Sequence, residues 1–226
     1  MTPEEDTLFV DLDARASSLR TLLPGRFIVL DGPDGCGKST QMSRMKAFCL
    51  RFGIEMEHVR EPGGTTIGEQ IREILLDSAN DRMVVRTEML LYMASRSQLI
   101  AERIRPALDA NRFVLADRFI SSTLAYQGTG GGLSPEEIMS VGDVTTAATR
   151  PDLVVILDVD TEIASTRISG ELDRMERKGR AFHERVRAGY LDQIKRDPEH
   201  HLRIDAGQSP DEVFSDLLQG LIDRLS

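Results

Sequence analysis

Between residues 32 and 39 the chain reads Gly-Pro-Asp-Gly-Cys-Gly-Lys-Ser, which fits Gly-x-x-x-x-Gly-Lys-Ser, the pattern of a phosphate-binding loop. The chemistry this spacing supports is specific. Glycines let successive backbone N–H groups turn inward on an anion, and the dipole of a following helix adds to the attraction. Lys38 has the reach of a mobile point charge for outer phosphates, and the Ser39 hydroxyl can ligate Mg²⁺. Cys36 lies inside the loop, where the backbone is what phosphates need, so its thiol reads as a small tolerated side chain.

A second cluster is Asp117-Arg118, placed directly after an apolar run. At the carboxyl end of a parallel strand the aspartate can hold Mg²⁺ and the arginine can grip a phosphate with its planar fork. Asp158 also follows an apolar run and is the rival metal carboxylate. Residues 121–128, Ser-Ser-Thr-Leu-Ala-Tyr-Gln-Gly, carry hydroxyl and amide groups suited to a sugar or base edge, or to an ordinary capped helix start. Tyr92 and Arg96 stand four apart on one helix face, where a ring can stack a base and a guanidinium can bond its carbonyl. Arg60 opens a loop after the second strand, as a second phosphate ligand or a plain surface arginine. From Arg167 to Arg196 arginines alternate with acids, the composition of a solvated helix face or of a mobile cover over bound phosphates.

These residues need a frame that brings strand ends together. Phe27–Leu30, Ile54–Val59, Phe113–Asp117, Val154–Asp158 and Leu202–Ala206 read as strands, the last the weakest. Helical periodicity fills Ser39–Arg51, Thr66–Leu76, Val85–Leu108 with Pro106 near its end, and Asp211–Leu225. Apolar strands separated by helices predict an α/β fold, a five-stranded parallel sheet covered on both faces. Residues 1–25 read as an extension ahead of the domain, a short amphipathic helix or a frayed tail, and truncating residues 1–24 should leave turnover unchanged.

Composition narrows the classes. A net charge of −9 argues against a nucleic-acid groove, and nucleotides must then be drawn in by local cationic clusters. No apolar run approaches a membrane span, and the acidic N-terminus lacks the apolar segment of a secretory signal. With two cysteines, Cys36 and Cys49, no disulfide framework is indicated, and the cytoplasm is the expected compartment.

Taken in order, several segments closely resemble the thymidylate kinase family of nucleoside monophosphate kinases. They are Gly32 to Thr40, Arg60-Glu61-Pro62-Gly63-Gly64-Thr65, Tyr92 to Arg96, Asp117-Arg118-Phe119, Ser122 with Ala125 to Gly128, Arg150 to Leu153, and Gly170-Glu171-Leu172-Asp173-Arg174. The resemblance implies a P-loop NTPase-type three-layer sandwich spanning 26–226, with a lid at about 167–182, transferring the γ-phosphoryl group of ATP to dTMP with Mg²⁺. It implies that Gly32, Pro33, Asp34, Gly35, Cys36, Gly37, Lys38, Ser39 and Thr40 serve ATP, with Ser39 and Asp117 at the metal. Asp34 would hold the acceptor's 3′-hydroxyl, and Arg60 and Arg118 its 5′-phosphate. Tyr92 would stack on thymine, Arg96 would bond its carbonyl, and Ser122 and Gln127 would lie nearby. Tyr126 would crowd the 2′ position of the sugar, and Arg167 would lie along adenine. A homodimer is also implied.

The chain departs from the family at one point. The family sets a catalytic arginine in the phosphate loop or just ahead of the Gly-Glu-Leu-Asp-Arg run, and here those positions hold Gly35 and Ser169. Arg167, Arg174, Arg177 or Arg180 is left to act on the transferring phosphoryl group. A kinase for another pyrimidine monophosphate and an inactive phosphate-loop protein are the competing readings. A GTPase-type switch is disfavoured because the chain has no Asn-Lys pair for guanine.

Overall fold

The structure, a computed structural model, describes residues 3–168 and 173–226. Ser169, Gly170, Glu171 and Leu172, which include most of the Gly-Glu-Leu-Asp-Arg run, lie outside the described residues. Five apolar runs form the strands β1 (Phe27–Asp31), β2 (Met56–Arg60), β3 (Phe113–Asp117), β4 (Leu153–Asp158) and β5 (His201–Asp205). All pairings are parallel, in the order β2-β3-β1-β4-β5. The central strands β1 and β4 are buried along their whole length, which is why they read as unbroken apolar runs. The edge strands β2 and β5 are only partly covered and carry polar residues, which made their limits harder to read. In register, Arg60 and Leu30 both stand beside Asp117, so the carboxyl ends of β2, β3 and β1 share one rim.

The helices are α1 (Pro3–Leu22), α2 (Lys38–Phe52), α3 (Thr66–Leu76), α4 (Val85–Leu99), α5 (Arg105–Asp109), α6 (Ile120–Thr123), α7 (Pro135–Thr146), α8 (Thr161–Arg167), α9 (Arg180–Arg196) and α10 (Pro210–Leu225). The expected single helix from Val85 to Leu108 is α4 and α5 joined by a wider π turn over Ile100–Ile104. Pro106 lacks an N–H and its ring crowds the preceding turn, and the widening falls immediately before it. A second π turn, Leu124–Gly130, extends α6.

Alternate β1 side chains feed two cores. Ile28 and Leu30 join Met45, Phe48, Leu218 and Leu221 on the face covered by α2 and α10. Phe27 and Val29 join Met89, Met93, Val186 and Tyr190 on the face covered by α4 and α9. Helix–sheet–helix is the three-layer arrangement expected. The N-terminal segment is a helix, and Ala16, Leu19 and Leu23 are buried in the first core. Arg15 donates from Nη1 to the Ser215 carbonyl and hydroxyl at 2.9 Å, and Arg20 Nε donates to the Phe52 carbonyl at 2.6 Å. The end of α1 therefore closes the core over α2 and α10, where a frayed tail would leave it open.

Candidate active site

The phosphate loop joins β1 to α2. Gly32, Gly35 and Gly37 all have positive φ, at 142°, 76° and 88°. At Gly35 the need for glycine is absolute in space as well, because a Cβ would lie 2.3 Å from the Ala164 carbonyl oxygen. Gly37 caps α2 in the left-handed conformation with no side-chain acceptor, so the first N–H groups of the helix are available to an anion. Lys38 is folded onto the loop, with Nζ donating to the Gly32 carbonyl at 3.0 Å and the Pro33 carbonyl at 3.3 Å.

A cavity of about 570 Å³ lies over this loop, lined by Asp34 through Thr40 together with Arg60, Asp117 and Arg167. A second cavity of about 200 Å³ is lined by Tyr92, Ser122, Thr123, Tyr126 and Gln127, with Asp173, Met175 and Glu176 from the segment ahead of α9. Asp34, Glu61, Arg72, Arg118 and Glu176 line both cavities and form their common wall.

Arg118 is the centre of that wall. Its backbone is left-handed, φ 70°, which is unusual outside glycine and turns the side chain back across the loop. Nη1 donates to Ser122 Oγ at 3.0 Å, the Gly32 carbonyl at 3.1 Å, Tyr190 Oη at 3.2 Å and Asp31 Oδ1 at 3.3 Å, and Nη2 donates to Asp34. Asp31 is fully buried and accepts from Ser121 at 2.6 Å and from Ser122 and Tyr190 at 2.7 Å each. Tyr126 donates its hydroxyl to Asp34 at 2.8 Å. Burial pushes the Asp34 carboxyl up, but the Arg118 and Lys38 charges and the Tyr126 hydrogen bond outweigh it and hold it below the usual carboxylate range.

The two candidate metal carboxylates separate clearly. Asp158 accepts from Arg187 Nε at 2.7 Å and Arg203 Nη2 at 2.6 Å, so its charge is taken up by structure. Asp117 Oδ1 is buried without a hydrogen-bond partner, and Asp117 lines the phosphate-loop cavity together with Ser39.

A thymidylate kinase family model matches residues 30–217. A thymidylate kinase of an Exiguobacterium species is 44% identical over 205 residues, covering 90% of this chain and 97% of its own length. One from Pseudomonas fluorescens is 47% identical over 188 residues, covering 82% and 90%. The crystal structure of thymidylate kinase from Ehrlichia chaffeensis superposes with a TM-score of 0.71 at 30% identity, covering 87% of this chain and 97% of that one. The chain belongs to the thymidylate kinase family.

Within a thymidylate kinase frame, most residues expected at the site do gather there. Asp34, Arg118, Ser122, Tyr126, Gln127 and Tyr92 line the smaller cavity, and Lys38, Ser39, Thr40, Arg60, Asp117 and Arg167 the larger. Arg60 is paired with Glu69 at 2.8 Å on the rim. Arg96 stands behind the wall, fully buried against the Phe119 ring, donating to Glu61 at 2.7 Å and to Thr123 at 3.1 Å. Arg174 reaches away from the phosphate loop, with Nη1 on Glu88 at 2.6 Å and Nε on the Leu75 carbonyl at 2.8 Å. Arg180 is exposed and paired with Glu162 and Glu184.

Sequence reasoning missed Asp31, Glu61, Arg72, Glu88 and Tyr190. Arg72 sits on α3, donates to the Pro62 carbonyl at 3.0 Å, and lines both cavities beside Arg60. Burial and the neighbouring Arg60 charge lower its pKa from the ordinary arginine value. The only signal in the sequence was an arginine on a predicted helix near the crevice.

Proposed function

We propose that this protein transfers the γ-phosphoryl group of ATP to dTMP, giving dTDP and ADP. The observation that carries the proposal is the common wall. Arg118 and Asp34 stand between a glycine cradle suited to a polyphosphate and a smaller cavity furnished with two tyrosines and Gln127.

In this reading the loop from Gly32 to Thr40 and Lys38 hold the donor phosphates, with Arg167 at the end of α8 beside them. Arg118, Arg60 and Arg72 take the acceptor 5′-phosphate, and Asp34 takes the 3′-hydroxyl. Tyr92 stacks on the base, and Tyr126, fixed by Asp34, stands against the 2′ position. Two anions meeting end to end repel strongly, so the cationic wall supplies the charge compensation that the transfer needs. The lid residues Asp173, Met175 and Glu176 close over the acceptor cavity and keep water from competing for the phosphoryl group. Arg174 holds that lid segment down through Glu88, and Arg180 is paired with Glu162 and Glu184. Arg167, which lines the donor cavity and donates from Nη1 to the Ala206 carbonyl at 2.8 Å, and Arg177 are the arginines left to act on the transferring group.

Mg²⁺ fits the residues present. It takes one or two protein oxygens and completes its shell with phosphates and water, and the unpartnered Asp117 Oδ1 and the Ser39 hydroxyl are such a pair. When bound, it would neutralise charge on the donor phosphates. Among the described residues there is no cluster of three His, Cys, Asp or Glu that would suit a transition metal, and no helix is long and apolar enough to cross a membrane. The homodimer implied by the family resemblance is tested by sedimentation velocity.

An ADP-release assay across dTMP, dUMP, dCMP, dAMP and ribosyl TMP tests the assignment. Highest kcat/KM with dTMP is expected. A preference for dCMP would overturn the substrate, and turnover that persists in Lys38→Ala would overturn the mechanism.

A further inference from the structure

Glu88 is a charged residue that the mechanism above does not use, and it lies deeper than most of the site, 1% exposed on α4 one turn before Tyr92. Its carboxylate has three cationic or amide partners. Oε2 takes Arg174 Nη1 at 2.6 Å and Lys178 Nζ at 3.5 Å, and Oε1 takes Gln127 Nε2 at 2.7 Å.

An ion-paired carboxylate offers acceptors and no donor. The Gln127 amide must therefore turn its NH₂ toward Glu88, because the opposite orientation would set two oxygens against each other. That leaves Gln127 Oε1, an acceptor only, as the group the side chain offers to the cavity it lines. A pyrimidine-2,4-dione carries an N3–H that such an oxygen can accept. Cytosine carries a lone pair at N3 and would face it oxygen against nitrogen, both unsatisfied.

Resting on the dTMP kinase reading, we propose that Glu88 is a positioning residue for specificity: by locking the Gln127 amide it makes the base cavity select thymine and uracil over cytosine. Arg174 and Lys178 belong to this device, because they occupy Oε2 and leave Oε1 to the Gln127 amide.

The test compares wild type, Glu88→Gln, Gln127→Leu and the double variant for kcat/KM with dTMP, dUMP and dCMP, with thermal melts on each. A glutamine at position 88 can donate or accept, so it no longer dictates how Gln127 faces. The dTMP:dCMP ratio should then fall about tenfold or more, while dTMP and dUMP change in parallel. The double variant should match Gln127→Leu in that ratio. A proportional loss on all three substrates with ratios unchanged would mean that Glu88 only supports the fold, and would overturn the proposal. Should Glu88→Gln fail to fold, Gln127→Leu decides, and an unaltered dTMP:dCMP ratio there overturns it too. Wild-type protein that prefers a purine monophosphate would instead remove the substrate assignment on which the proposal rests.

Discussion

Replacing Asp117 and Asp158 in turn by asparagine should separate two carboxylates that end neighbouring apolar runs and look alike in the sequence. Asp158 accepts four hydrogen bonds from Arg187 and Arg203, at 2.7, 3.3, 3.0 and 2.6 Å. Removing its charge leaves both guanidinium groups short of a partner. A fully buried pair broken this way costs about 3–5 kcal/mol. Arg203 is about half exposed and Arg187 about a quarter, so solvent screening reduces the expected cost to roughly 1–3 kcal/mol. At about 2–4 °C per kcal/mol for a chain of this size, Asp158→Asn should lower Tm by roughly 2–12 °C. Turnover of the folded protein should be almost unchanged. Asp117 Oδ1 has no partner to lose, and an unpaired buried charge is costly, so Asp117→Asn should leave Tm unchanged or raise it. On the proposed role of Asp117 at the Mg²⁺, its turnover should fall by about 10² to 10³ or more. Thermal melts and ADP release with both substrates saturating, run well below the lower Tm, read the two effects separately. Equal loss of turnover in both folded variants, or wild-type turnover in Asp117→Asn, would refute the assignment.

Leu19→Ala in α1 should destabilise the protein by about 2–5 kcal/mol, because Leu19 is fully buried among the first core. An unmoved denaturation midpoint would show that α1 does not belong to the domain. Asp34 has a folded-state pKa below its unfolded value, so it stabilises the fold above about pH 4 and that contribution vanishes on further acidification. Asp34→Asn should therefore flatten the acid limb of a Tm–pH curve, and an unaltered limb would count against the Arg118 pairing. Burial pushes the Cys36 thiol up and the Cys49 thiol up to about 12. Both should resist an aromatic disulfide reagent at pH 8 in the native protein and react once it is denatured. Fast native reaction at Cys36 would mean that the loop opens.

What could be read early was local. The phosphate loop announces itself because strand, glycines, lysine and helix start are contiguous, and backbone freedom at Gly35 is needed wherever that turn is built. Asp117-Arg118 was legible for a similar reason, since an apolar run ending in two charges places them on the rim of a parallel sheet. Other features depend on pairings between distant segments. Tyr190 reaches Asp31 from 159 residues away, and Gln127 meets Glu88 from 39. No periodicity predicts such meetings. Arg96 and Arg174 carried the correct charge in the expected neighbourhood, yet the buried carboxylates Glu61 and Glu88 take them up.

Residue types and their spacing along the chain carried the family resemblance, and they predicted the parallel sheet and the glycine cradle, because turns between near neighbours and burial along a strand are written locally. Only the packed structure decided which aspartate oxygen lacks a partner, which arginines line the two cavities, and that α1 closes a core. Those outcomes turn on which buried charge finds a partner, and partners are chosen when the layers come together.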